Sequence, residues 1–272
     1  MIESPARDAL SLTLVLREPP ADECAAAFVS GLPWPQGTSI RLVDRRTRRR
    51  FDRPEPGDDL SARLGRAGIR VIDETARTCA VGSIKRRSAD LVITGGSRSG
   101  GGLRRFVAQT LAEREVPMLV ARRPQLNRGL IVVDDDLSPA LVDLLRREPF
   151  RRARFRVLGV FDASASWYAG VAFAPAERLE SVTAAATEAA ALLRAATRQA
   201  ALNLSWAGVA ATAHVEEGNA ERTIIRVARD MAADWVVLAR SVDANQAAAS
   251  LVDRLIADAE ASILIAPTVR TQ

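Results

Sequence analysis

The sequence predicts an α/β fold in which two doubly wound, parallel, five-stranded sheets of Rossmann-like type stand in tandem as a pseudo-dimer. Two observations lead to this prediction. Residues 89–121 and residues 233–266 share one order of patterns: Ala-Asp, an apolar strand, a small-residue loop, a helix and a second apolar strand. Along the rest of the chain, short apolar runs alternate with helical patterns, which is typical of parallel sheets.

The repeat also predicts the domain organisation. Ala89-Asp90 recurs 144 residues later as Ala233-Asp234. A repeat of that length indicates a duplicated domain, because solenoid repeats run only about 20–50 residues. Polar residues and a proline at 122–127 interrupt the pattern, so we expect an abbreviated first domain at 1–125 and a second domain at 126–272.

The second half shows its elements clearly. Its first strand is an unbroken apolar run that ends at Asp134, as expected of a strand buried on both faces. Ser138-Pro139 is a typical start of the helix that follows. The predicted strands are Leu130–Val133, Phe155–Phe161, Val209–Val215, Trp235–Leu238 and Ile263–Ala266, and the predicted helices are Ala140–Arg147, Ala176–Ala201, Ala220–Met231 and Ala247–Ala257.

The first half repeats this order in abbreviated form, and its second helix is much shorter than the counterpart. The predicted strands are Leu12–Leu16, Ile40–Val43, Ile69–Asp73, Leu91–Thr94 and Met118–Val120, and the predicted helices are Asp22–Val29, Asp59–Arg66, Thr78–Arg86 and Leu103–Glu113.

Composition excludes several classes of protein. The chain has 272 residues with 48% hydrophobic and 26% charged residues, which is ordinary for a globular protein. The longest apolar stretch, Ala184–Leu204, contains charged residues, so we expect no membrane span. Glu3 and Asp8 stand where a signal peptide would need basic and then apolar residues. Cys24 and Cys79 are far apart and form no C-x-x-C pair, so we expect a cytoplasmic protein without disulfides.

The basic character of the chain raises the question of nucleic-acid binding. Net charge is +5, and Lys85 is the only lysine among 38 basic residues. Arginines cluster at 45–50 and at 146–154, where they could contact phosphates. Neither cluster is interleaved with the aromatic residues on which single-strand binders stack bases. We therefore expect solvated surface here, and not nucleic acid as the main partner.

A glycine-rich loop and an acidic loop are the candidate binding elements. In an open parallel sheet, ligands bind beyond the carboxyl ends of the strands. Glycines let backbone N–H groups approach phosphates, and the following helix N-terminus favours anions. The candidate cofactor-binding residues lie in these loops and at two helix starts: Gly95, Gly96, Ser97, Arg98, Gly100, Gly101, Gly102, Asp134, Asp135, Ser138 and Ser250.

Two passages resemble the universal stress protein family: HVEEGNAERTIIRVARDMAADWVVLA at 214–239 and LIVVDDDLSPA at 130–140. The resemblance implies a stress-related, regulatory role. It also implies ATP binding through the acid after the first strand and a glycine motif, G-x-x-G-x9-G-[ST], after the fourth. Finally, it implies edge contact between the two halves through the fifth strands, Met118–Val120 and Ile263–Ala266.

Each half keeps only part of that pattern. The first half has the glycines, but its first strand ends in Arg17-Glu18 and the loop is about five residues short. The second half has Asp134 and Asp135, but only Ala249-Ser250 is similar to the end of the motif. Three alternatives remain open: two degenerate sites, one nucleotide in the first half near Arg98 or Arg104, or a composite site. We expect either bound ATP with Mg²⁺ or no cofactor at all, and the sequence does not favour one over the other.

The sequence offers little for catalysis. His214 is the only histidine, and no G-x-S-x-G motif occurs. We assign no metal site and predict no enzyme activity beyond very weak ATP hydrolysis. The expected partners are the other half of the chain, a second copy and an unknown protein. An Arg-rich interaction scaffold with a Trp167-Tyr168 insertion is the further alternative.

Overall fold

The computed structural model of the protein describes residues 9–17, 21–44, 56–66, 69–74, 89–96, 101–113, 116–133, 137–162, 176–241 and 246–268. The strands are β1 (Ser11–Leu16), β2 (Ser39–Asp44), β3 (Arg70–Glu74), β4 (Leu91–Gly95), β5 (Met118–Ala121), β6 (Arg128–Val133), β7 (Arg154–Phe161), β8 (Ala210–Glu217), β9 (Trp235–Ser241) and β10 (Ser262–Thr268). The helices are α1 (Ala21–Gly31), α2 (Pro56–Arg66), α3 (Gly101–Glu113), α4 (Pro139–Leu145), α5 (Ala176–Trp206), α6 (Ala220–Asp230) and α7 (Gln246–Asp258).

These elements confirm the predicted order in both halves. Boundaries differ by a few residues, and α3 begins at Gly101, two residues before the predicted start. The short second helix of the first half is also confirmed, since α2 has 11 residues and its counterpart α5 has 31. The helix predicted at Thr78–Arg86 lies outside the described residues.

The strands form one ten-stranded sheet in the order β3-β2-β1-β4-β5-β10-β9-β6-β7-β8. All neighbours within each half are parallel, and both halves have the same order. The halves join through an antiparallel pair in which Leu119 of β5 lies opposite Leu264 of β10. The predicted tandem of doubly wound domains, with contact through the fifth strands, is confirmed.

The repeated Ala-Asp dipeptide has a structural role at the start of each first strand. The N–H of Ser11 donates to Asp90 Oδ2 at 2.7 Å. In the second half, the N–H groups of Asn127 and Arg128 both donate to Asp234 Oδ2, at 2.8 and 3.0 Å. Each aspartate thus holds the fourth strand of its half beside the first strand, and charge-assisted hydrogen bonds of this kind are among the stronger ones.

Apolar residues cover both faces of the sheet. Leu14 and Ile93 are fully buried on the face that carries α1, whereas Val15 and Val92 are fully buried on the other face. Such runs, buried on both sides, are typical of parallel strands flanked by helices. Across the joint between the halves, Trp34 packs against Phe150 with ring centroids 5.9 Å apart. The two halves therefore share one core on each face.

No helix among the described residues is both long enough and apolar enough to cross a membrane.

Candidate functional site

The predicted site residues that the structure describes lie mostly at the carboxyl ends of the strands, as expected for this fold. Gly95 ends β4, Gly96 follows it, and Gly101 and Gly102 begin α3. Ser138 is the N-cap of α4, as predicted, and its Oγ accepts from the N–H of Leu141 at 3.3 Å. Ser250 lies in α7. The other candidates lie outside the described residues and stay predictions: Ser97, Arg98 and Gly100 after β4, and the Asp134-Asp135 pair after β6.

Gly95 lies in direct contact with the backbone of α1. A Cβ added at Gly95 would lie 1.9 Å from the carbonyl oxygen of Ala21. Real Cβ atoms never come so close to a backbone oxygen, so only glycine fits at this place in the present packing. The first turn of α1 therefore fills the space beside the end of β4, at the switch point between β1 and β4.

Gly96 makes room for an arginine that joins the two halves. A Cβ at Gly96 would lie 2.8 Å from both Cγ and Nε of Arg122. The guanidinium group of Arg122 donates to the carbonyl oxygens of Ile256 and Ala259 at the end of α7. A cation at a helix C-terminus is favourable because the unpaired carbonyl groups there carry partial negative charge. Gly96 thus serves a contact between the halves.

Arg17 takes the place after β1 where the resemblance would require an aspartate. Its N–H donates to Asp22 Oδ1 at 2.7 Å. Its guanidinium carbon lies 5.1 Å from the centre of the Phe106 ring, within the range of a cation–π contact. Its Nη2 lies 3.0 Å from the position that a Cβ on Gly102 would take. The side chain therefore extends across the first turn of α3.

A cavity of about 280 Å³ opens beside that turn. It is lined by Arg17, Gly102, Arg105, Phe106 and Gln109. Two guanidinium groups and the N-terminal end of α3 make the cavity electropositive. Neither Arg105 nor Gln109 was among the predicted site residues, because their positions on the helix carry no motif. Only the structure identifies Arg105 and Gln109 as candidate site residues, because it shows that they line the same cavity as Arg17.

The equivalent place in the second half has a different backbone. β9 continues to Ser241, which pairs with Thr268 of β10. In the first half, the corresponding ladder ends where Gly95 pairs with Ala121. The strand thus runs two residues past Ala239, the counterpart of Gly95, and no glycine turn opens there before residue 242. Regular pairing replaces the loop that would approach a phosphate.

Ion pairs occupy much of the second arginine cluster. Arg146 pairs with Asp143 at 3.0 Å, Arg152 with Glu148 at 2.8 Å, and Arg147 with Asp90 of the first half at 3.7 Å. Pairing of this kind reduces the charge available to a phosphate backbone. The cluster at 45–50 lies outside the described residues.

His214 lies on β8 and is half-exposed. Its Nε2 lies 2.9 Å from Glu216 Oε1, and Glu216 also accepts from Arg226. Among the residues that the structure describes, no group of three or more His, Cys, Asp or Glu side chains is placed to hold a metal ion.

The fold and the strand-end site define a tandem α/β protein of the doubly wound class. A family model described as "Universal stress protein family" matches residues 130–267, which is half of the chain. The chain therefore belongs to the universal stress protein family. No curated protein matches the sequence.

Solved structures resemble the whole chain. A universal stress protein from Archaeoglobus fulgidus DSM 4304 is 10% identical with a TM-score of 0.57, over 96% of this chain and 97% of that one. A functionally unknown protein from Pseudomonas aeruginosa PAO1 is 16% identical with a TM-score of 0.60, over 97% and 95%. The cytoplasmic domain of a prokaryotic cation chloride cotransporter is 9% identical with a TM-score of 0.53, over 96% of each chain. At these identities the likeness shows the fold alone.

Proposed function

We propose that this protein is a stress-response regulator that acts by binding, and that both nucleotide sites of the family are degenerate in it. The observation that carries the proposal is the packing of Gly95 against Ala21, where an added Cβ would lie 1.9 Å from the carbonyl oxygen. The contact with α1 by itself requires glycine at position 95, so contact with a phosphate is not needed to explain this residue. Packing accounts for Gly96 in the same way, because Arg122 lies against it.

Two further features support degenerate sites. Arg17 replaces the carboxylate that would hold a ribose hydroxyl, and its guanidinium group lies against Phe106. In the second half, β9 continues as a paired strand to Ser241 instead of turning into a glycine loop. Each half therefore lacks a different part of the pocket.

The proposal includes the absence of efficient catalysis. His214, the only histidine, hydrogen-bonds to Glu216 on an edge strand, away from the strand ends that form the candidate site. We expect ATP hydrolysis by the purified protein to stay far below about 1 per second, the lower range of ordinary enzymes. Phosphate release at or above that rate would contradict this part of the proposal.

Thermal unfolding with millimolar ATP and Mg²⁺ tests the proposal. A ligand at 100 times its Kd adds about 2.7 kcal/mol to the free energy of unfolding, which is easily measured. We expect no shift of Tm, and no nucleotide in native mass spectra of the purified protein. A clear shift with ATP, absent with equal ionic strength of sodium sulfate, would overturn it.

One nucleotide in the first half is the second candidate, because the cavity beside Gly102 carries Arg17 and Arg105. If ATP does stabilise the protein, Gly101→Val should abolish the effect while Asp135→Asn leaves it unchanged. The opposite result would place the site in the second half. For location, we propose the cytoplasm, which cell fractionation tests.

A further inference from the structure

The strand β8 forms one outer edge of the sheet. It pairs with β7 over its whole length, from Ala210 opposite Arg154 to Glu217 opposite Phe161. Its other side has no strand partner among the described residues. The open edge is eight residues long, or about 26 Å. It contains neither Lys nor Pro, two common protections of edge strands, and its acidic residues, Glu216 and Glu217, lie at its C-terminal end. An edge of this kind is a template for an added strand.

The backbone of this edge presents donors to solvent. The N–H of Gly218 donates inward to Phe161 O at 2.9 Å. Because N–H directions alternate along a strand, the N–H of Ala213 points outward. Thr212 and Ala213 are exposed and small, so neither side chain blocks the approach of another backbone.

Helix α5 carries a ridge of exposed side chains at intervals of four residues: Arg194, Arg198, Leu202 and Trp206. Residues four apart are neighbours on a helix surface. Leu202 and Trp206 are 48% and 76% exposed, and because they are four residues apart they form a small apolar patch near the end of α5.

Arg194 and Arg198 lie on the flank of α5 that is on the side of the open edge. Each further step of four residues turns about 40° around the helix, so Leu202 and Trp206 lie progressively towards the solvent side. The connection from β7 through α5 to β8 is a right-handed crossover. With this handedness, the flank of α5 that contains Arg194 and Arg198 lies on the side of β8 and away from β7. The burial pattern agrees. Arg194 is exposed although it follows buried Ala190 by one turn, whereas Ala196 and Asn203 on the opposite flank are half-buried.

Four arginines near this edge have no acidic partner among the described residues. Arg151 lies beside Gly208, just before β8, with Nη2 3.6 Å from the position of a Cβ on that glycine. Arg154 begins β7 on the face opposite α5 and is exposed. Among the described residues, no carboxylate lies within 4 Å of the guanidinium groups of these two arginines or of Arg194 and Arg198. Positive charge therefore lies on both faces of the edge, and the acidic residues Glu216 and Glu217 lie at its C-terminal end, where Glu216 pairs with Arg226.

We propose that β8, together with the ridge on α5, binds an acidic peptide segment as an added β-strand. Successive residues of a strand point to opposite faces, so adjacent acidic residues would reach Arg154 on one face and Arg194 or Arg198 on the other. Leu202, one turn after Arg198, would contact an apolar residue of the same segment. This binding does not depend on a nucleotide in either half.

Charge and backbone geometry favour this partner over two others. A second copy, paired through antiparallel β8 strands, would bring Arg194 and Arg198 of both copies together near the two-fold axis, which is unfavourable. A nucleic acid would use the arginines but not the outward N–H groups of the strand, which are spaced for another peptide backbone.

Fluorescence anisotropy of labelled peptides tests the proposal. The probe is a fluorescein-labelled octapeptide, Glu-Glu-Val-Val-Glu-Glu-Val-Val, which presents acids on both faces. The comparison peptide has lysine in place of each glutamate, and the third probe is a labelled single-stranded oligothymidine. We expect saturable binding of the acidic peptide only, weakened by salt, with slower hydrogen exchange of the amides of residues 210–217.

Two variants separate the contributions. R194E/R198E should weaken peptide binding about tenfold or more. Ala213→Pro removes an outward N–H without touching the β7 ladder, and it should weaken binding about fivefold. The control R146E/R254E makes the same change of net charge at paired arginines away from the edge, and should leave affinity within about twofold.

Several results would overturn the proposal. The first is no binding of the acidic peptide at millimolar concentration. The second is equal binding of the lysine peptide. The third is oligothymidine that binds more tightly than the acidic peptide and whose binding Ala213→Pro does not change. Circular dichroism and Tm verify that each variant is folded, so a loss of binding reports on the edge.

Discussion

The ends of β4 and β9 occupy equivalent places in the two halves, yet they are built differently. β4 stops at Gly95, and the first turn of α1 lies against that glycine. β9 continues to Ser241 as a paired strand. By contrast, Asp90 and Asp234 make the same contact with the first strand of their own half. The contacts that assemble the sheet are therefore alike in the two halves, whereas the residues at the ends of the fourth strands differ.

Gly95 gives the strongest test of this difference. Gly95→Val places a side chain against the backbone of Ala21, which cannot yield as a flexible side chain could. We expect a loss of about 3 kcal/mol or more in the free energy of unfolding, measured by urea titration.

The matched control is Gly65→Ala in α2, where an added Cβ meets no atom within 4 Å. Since alanine favours helix over glycine, stability should stay unchanged or rise by up to about 1 kcal/mol. If Gly95→Val were tolerated as well as the control, the space beside β4 would be open, and the argument for degenerate sites would fail.

The two aspartates of the repeat should differ in strength. Asp234 is almost buried and accepts from two N–H groups, whereas Asp90 is exposed and accepts from one. Asp234→Ala leaves two part-buried N–H donors unpaired and should cost about 2 kcal/mol, against about 1 kcal/mol for Asp90→Ala. Chemical denaturation of both variants measures the difference, and the reverse order would contradict the argument from burial and the number of donors.

Arg122 has no counterpart in the second half, where proline stands at 267. Its guanidinium group binds Ile256 O and Ala259 O across the joint. Arg122→Met should therefore cost about 2 kcal/mol. The side chain of the neighbouring Arg123 pairs with exposed Glu260, so Arg123→Met should cost less than about 0.5 kcal/mol. Equal Tm values for the two variants would show that the joint does not depend on this contact.

The fold could be predicted from the sequence because its signals are local. Apolar runs such as Leu130–Val133 mark buried strands, and Ser138-Pro139 marks a helix start that the structure confirms. The repeat of Ala-Asp then fixes how the halves correspond, and the resemblance adds the edge contact of β5 with β10, which the structure shows to be antiparallel.

The candidate site was harder to predict, because its meaning depends on contacts between distant residues. Gly95 and Gly96 fit a phosphate loop in sequence, yet their neighbours in space are Ala21 and Arg122. No spacing rule relates Arg122 to α7, which begins more than a hundred residues later. Glycine in a sequence indicates that something comes close, but not whether that is a ligand or the protein itself.

The smallest expected effect concerns the start of α3. α3 and α7 both have 13 residues, so Gly102 corresponds to Ala247. Gly102→Ala brings the second-half residue into the first half, where the new Cβ lies 3.0 Å from Nη2 of Arg17. Because that atom is the end of a flexible side chain, it can move, and the helix gains slightly from alanine. We expect the free energy of unfolding to change by less than about 0.5 kcal/mol. A loss above about 2 kcal/mol would mean that Arg17 is held rigidly over the helix, as a group positioned for a ligand would be.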